Sequence, residues 1–171
     1  MAGRIKKGRA RVPEGFTLSM AVLDCLPVLF FSISAVCLAE RFPSVLFRVG
    51  IFLIILAGSL KVSWKMVIAL SEKNIPILSG QMRVLMPLGF VLCILALFLN
   101  HAGWSFDSVL HHFIRLPSLI FFIMGIAGIF VMIWFAATKD RLDARSNWKE
   151  QAVNGVTQFC IMIGIFLSSL L

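Results

Sequence analysis

The chain alternates between long apolar windows and short polar punctuation. Windows 16–38, 84–100, 116–138 and 152–171 carry almost no charge at their centres, and a fifth, 45–70, is interrupted only by Arg48, Lys61 and Lys65. About 20 residues at a rise of 1.5 Å each cross the hydrocarbon core. The pattern therefore predicts an all-α integral membrane protein, a bundle of five transmembrane helices. The third window is the shortest and crosses only if residues 81–85 lie at the interface; a re-entrant segment or a four-span chain is the alternative.

The punctuation predicts how the windows begin and bend. Pro43 and Pro117 stand at span starts, where a helix needs no amide hydrogen from them. Pro27 and Pro87 fall within spans, where each releases a backbone carbonyl and favours a bend. The stretch "NHAGWSFDSVLHHFIRLP" reads as a short helix lying in the headgroup plane, in preference to a metal pair formed by Asp107 and His111. Gly125 with Gly128, and Gly164 with Ser168, offer small faces for close helix contact.

Composition and charge set the class and the orientation. With 60% hydrophobic and 14% charged residues, the chain is too apolar to wet the surface of a soluble domain. The net charge is +8, and the basic residues are unevenly placed. One side of the membrane would receive Arg4, Lys6, Lys7, Arg9 and Arg11, then Lys61, Lys65, Lys73 and Arg83, then Lys139, Arg141, Arg145 and Lys149; the other receives Arg41, Arg48 and Arg115. The positive-inside rule then places the N-terminus inside and the C-terminus outside. Residues 1–15 form a basic inner tail and 16–171 a single transmembrane domain. The tail reads as a topogenic segment attracted to anionic headgroups, not as a nucleic-acid arm. Window 16–38 is longer than a signal-peptide core and lacks a small-x-small cleavage site, so it reads as a retained span. Cys25, Cys37, Cys93 and Cys160 fall inside spans without metal spacing, and neither a metal nor a cofactor is implied.

Charge within the spans points to a site. Counting from the window ends, Lys61 lies about 13 Å, Lys65 about 7 Å and Asp24 about 12 Å into the membrane. A charge near the bilayer centre costs about 3 kcal/mol, so matched depth predicts an intramembrane ion pair between Asp24 and Lys61, with Lys65 free to snorkel. In the last window Asn154 and Gln158 are one turn apart and share roughly one side with Asn147. Arg83 stands at the inner mouth of the third span, and Trp64 is deep enough to line a cavity. Lys61, Lys65, Arg83, Asn154 and Gln158 thus make a candidate site for an anionic small molecule or headgroup. Three function classes follow: a small oligomeric transporter or channel with a positively charged inner cavity, a structural or assembly subunit of a membrane complex, and an intramembrane enzyme acting on an anionic lipid headgroup. The last lacks a recognisable catalytic constellation. The expected partners are membrane lipids and either further copies of the chain or another membrane protein.

Overall fold

The structure is a computed structural model and describes residues 17–42, 44–71, 73–100, 105–138 and 144–170. The basic tail, Pro43, Glu72, His101, Trp104, Lys139 and Arg141 lie outside the described residues. Among the described residues seven helices follow in chain order: α1 (Leu18–Arg41), α2 (Val45–Ser71), α3 (Pro76–Gly80), α4 (Met82–Leu99), α5 (Phe106–Ile114), α6 (Ser118–Thr138) and α7 (Ala144–Leu170). Among the described residues five stretches are long and apolar enough to cross a membrane: Leu18–Arg41, Val45–Ser71, Pro76–Leu99, Ser118–Phe135 and Trp148–Ser168. The protein is a multi-pass α-helical membrane protein.

The third span is longer than its central window because α3 precedes it. Pro76 occupies the first turn of α3, where its missing amide hydrogen costs nothing. Gln81 joins α3 to α4 and reaches sideways: its Nε2 donates to the Ala57 carbonyl of α2 at 3.2 Å and to the Leu78 carbonyl at 2.9 Å. Residues 81–85 are therefore part of a helical path packed against α2. Pro27 sits inside an uninterrupted α1, and Pro87 inside α4. The interval before α6 contains the short helix α5, whose Phe113 ring lies 4.7 Å from that of Phe122 in α6.

The spans pack as a row in the order α4, α2, α1, α7, α6. Neighbours in the first half of the row are antiparallel, as Asp24 with Lys65 shows for α1 and α2, and Ser44 with Asn100 together with Ala57 with Gln81 shows for α2 and α4. Small residues set the closest approaches. A methyl group added at Gly50 would lie 2.7 Å from the Gly89 carbonyl oxygen, and one added at Gly89 would lie 2.7 Å from the Gly50 oxygen. Without a hydrophobic drive between lipid-bathed helices, such contact is a main source of association. On the other side of the row, Gly125 faces Ile161, Gly128 faces Thr157 and Gly164 faces Phe122, so these glycines do join α6 to α7. α1 and α7 meet through an edge-to-face contact of Phe30 and Phe159, with centroids 5.3 Å apart. Ala35, Phe47, Ile51, Ile54, Cys93 and Ala96 form the buried core where α1, α2 and α4 converge.

Candidate functional site

Four helices in the row surround a cavity of about 290 Å³. Helical spacing explains who lines it. α1 contributes Asp24, Pro27, Val28 and Phe31; α2 contributes Ile54, Ile55, Gly58, Lys61 and Val62; α4 contributes Met82, Met86 and Phe90; α7 contributes Asn154 and Gln158. Each set recurs at three- or four-residue steps and so occupies one side of its helix. Among the described residues α4 has no substantial packing on α7. The two helices instead stand at either side of a groove floored by α1 and α2.

Asp24 anchors the polar end. Its Oδ2 lies 2.8 Å from Lys65 Nζ, and the two residues are only 5% and 4% exposed. Matched depth predicts Lys61 as the partner of Asp24, with Lys65 snorkelling. In the structure the ion pair of Asp24 is with Lys65, which is buried, while Lys61 lines the cavity beside Asp24. The helix ends account for the difference. α1 begins at Leu18 and α2 ends at Ser71, so Asp24 and Lys65 each lie about 9 Å from those ends. Estimates from the hydropathy windows had placed both ends slightly too early.

The other expected site residues divide. Asn154 and Gln158 are half-buried and line the cavity with Lys61. Arg83 is exposed and is not among the lining residues. Trp64 turns away, its indole Nε1 donating to Asn74 Oδ1 at 2.9 Å in the connection after α2, and does not line this cavity. Gln151, which the polar pattern of the last window did not single out, is more deeply buried than Asn154 or Gln158, at 4% exposure, and its Oε1 lies buried with no hydrogen-bond partner among the described residues.

The cavity is graded in polarity. Asp24, Lys61 and Asn154 gather near the end where α1 and α7 start, and Gln158 follows one turn further. Phe31 lies about 10 Å along α1 from Asp24, and Ile54 about 10 Å along α2 from Lys61 in the same direction, because the two helices are antiparallel. Met86 and Phe90 continue the apolar wall on α4. The four-residue spacing of Met82, Met86 and Phe90 is visible in the sequence, but a lipid-facing stripe has the same spacing. Among the described residues no group of three His, Cys, Asp or Glu side chains is placed to hold a metal ion. Compared with known proteins, the chain matches no family model, no curated protein and no solved structure.

Proposed function

We propose that the protein is a small membrane transporter that receives an anionic solute in this cavity, with Lys61 as the charged contact and Asn154 and Gln158 as hydrogen-bonding groups. One observation carries the reading: Lys61 lines the same cavity as Asn154 and Gln158, so a cation and two hydrogen-bonding amides on two different helices face one space. Assembly of several copies belongs to this reading, because a row of five helices does not by itself enclose a path.

The test is thermal unfolding of purified protein in a nonionic detergent with added inorganic phosphate or acetate. Either anion should raise the Tm of the wild type in proportion to its occupancy, and raised ionic strength with an inert salt should weaken the effect. Lys61→Gln should abolish the rise while still assembling in the membrane. If neither anion stabilises the wild type, the buried pair is a registry device between α1 and α2, and the subunit reading takes precedence over transport.

Orientation belongs to the same proposal. The distribution of basic residues puts the N-terminus, the connection after α2 and the segment before α7 inside, so the cavity opens in the inner half of the bundle. In a cysteine-free parent, single cysteines at Gly8 and Leu171 should react with an impermeant reagent from opposite sides. Reaction of both from one side would remove the five-span orientation.

A further inference from the structure

We infer that the occupant of the cavity is a small zwitterion with an apolar side chain, an α-amino acid of the leucine or methionine type. Its carboxylate faces Lys61 and Gln158, its ammonium faces Asp24, and its side chain lies against Phe31, Met86 and Phe90. This rests on the reading above that Lys61, Asn154 and Gln158 receive an anionic group, and adds the group that Asp24 receives.

The presence of both signs of charge at one end of the cavity is the first reason. Asp24 and Lys61 line the same space as Asn154 and Gln158. Asp24 is in contact with Lys65, and Lys61 also interacts within the protein, so a ligand enters a network of charges that are already partnered rather than a bare positive field. A simple anion at Lys61 shares its surroundings with the Asp24 carboxylate, which weakens its hold; a simple cation at Asp24 meets two lysines. A molecule with one charge of each sign adds no net charge to the membrane interior. Groups that already have one partner still take part, because a carboxylate accepts several hydrogen bonds and an ammonium has three donors. The two amides suit the same head, since each offers both donors and an acceptor.

The order of the groups is the second reason. Lys61 stands one turn, about 6 Å, from Lys65 along α2, in the direction of Ile54, so the cavity runs from Asp24 past Lys61 to Phe31 and Ile54. An α-amino acid has the same order: two opposite charges on one carbon, and a side chain leaving from it. Phe31, Ile54, Met86 and Phe90 offer no hydrogen bond, so a polar or charged side chain would be buried there at a penalty. Size is the third reason. The cavity's roughly 290 Å³ equals about ten water molecules at roughly 30 Å³ each, close to the number of non-hydrogen atoms in leucine or methionine. A two-chain lipid is far larger. Met82 and Met86 on one wall are unbranched and adapt to irregular shapes, which favours acceptance of several apolar side chains.

The experiment measures binding of radiolabelled L-leucine to the purified full chain in a nonionic detergent, with competitors that each lack one feature. Isocaproate lacks the ammonium, isoamylamine lacks the carboxylate, and glycine lacks the side chain. Each should compete about tenfold less well than unlabelled L-leucine or worse, the effect of losing a charge-assisted hydrogen bond in the first two and a buried leucine side chain in the third. L-Methionine and L-phenylalanine should compete comparably with L-leucine, and L-glutamate and L-lysine should not. Asp24→Asn should erase the advantage of leucine over isocaproate. Because that variant also loses the pair with Lys65, Met86→Trp provides a second arm, which narrows the apolar half and should erase the advantage of leucine over glycine. Isocaproate competing as well as leucine overturns the zwitterion and leaves the anion reading standing; isoamylamine competing as well as leucine overturns both. Displacement by lysophosphatidylethanolamine at a lower concentration than by L-leucine overturns the free amino acid and assigns the site to a lipid headgroup. If L-leucine does not bind while acetate still raises the Tm through Lys61, the solute reading stands alone. If neither binds, both fall.

Discussion

Replacing Asp24 with leucine is expected to destabilise the bundle by about 3–5 kcal/mol, the cost of removing one partner of a buried ion pair. The loss should exceed that of Lys65→Met. Without Asp24 the cavity level holds two lysines and no acid; without Lys65, Lys61 lines the same cavity and remains within the acid's surroundings. Lys65→Met should accordingly cost less, about 1–3 kcal/mol. The double variant Asp24→Leu with Lys65→Met should be more stable than Asp24→Leu alone, because one lysine fewer is left at that level without the acid. Reversible unfolding in mixed micelles gives all the terms of this cycle. A coupling energy within about 0.5 kcal/mol of zero would show that the 2.8 Å contact does not hold the two helices together.

The second large effect is expected where α2 crosses α4. A side-chain methyl at Gly50 would stand 2.6 Å from Cys93 Sγ, 2.7 Å from the Gly89 oxygen and 3.0 Å from the Cys93 nitrogen. Two of those atoms are backbone and cannot rotate aside, so the helices must separate. Gly50→Ala should cost about 1–3 kcal/mol, the usual range for overpacking a tight contact, with Gly50→Leu worse. Gly155 supplies the control, since nothing lies within 4 Å of a methyl added there. Gly155→Ala should stabilise α7 by up to about 1 kcal/mol through helix propensity. If both alanine variants unfold alike, the crossing is looser than these distances describe.

Much of this architecture is legible in the sequence because the bilayer imposes a length on each apolar run. The five windows correspond to the five membrane-length helices, and the segment before the fourth contains the short helix expected there. The third span starts at Pro76, earlier than the window 84–100 suggests, and within it Gln81 bonds across to the Ala57 carbonyl, a contact with no local signature. Within the site, the one-turn spacing of Asn154 and Gln158 was enough to place both on the cavity side. The choice between Lys61 and Lys65 was harder. The two stand one turn apart, about 6 Å along the axis, and the hydropathy windows misjudged the helix ends by enough to reverse it. Met86 and Phe90 were missed because an apolar residue facing a groove and one facing lipid have the same composition. Only the order of helices in the row separates them.

The Asp24–Lys65 pair also has a consequence for biosynthesis. The acid is made about forty residues before its counter-ion, an interval of roughly 2–8 s at ordinary rates of translation. During that interval α1 carries a carboxylate that has no lysine partner from α2, and it is poorly suited to leave the insertion machinery alone. α2, with two lysines, has the complementary difficulty. Because α1 ends at Arg41 and α2 begins at Val45, the two helices are close enough in sequence to enter the bilayer as one hairpin, and entry as a hairpin would bring the charges together before either is committed to lipid. α7, which brings Asn154 and Gln158, follows later and completes the cavity on a hairpin whose acid already has its partner.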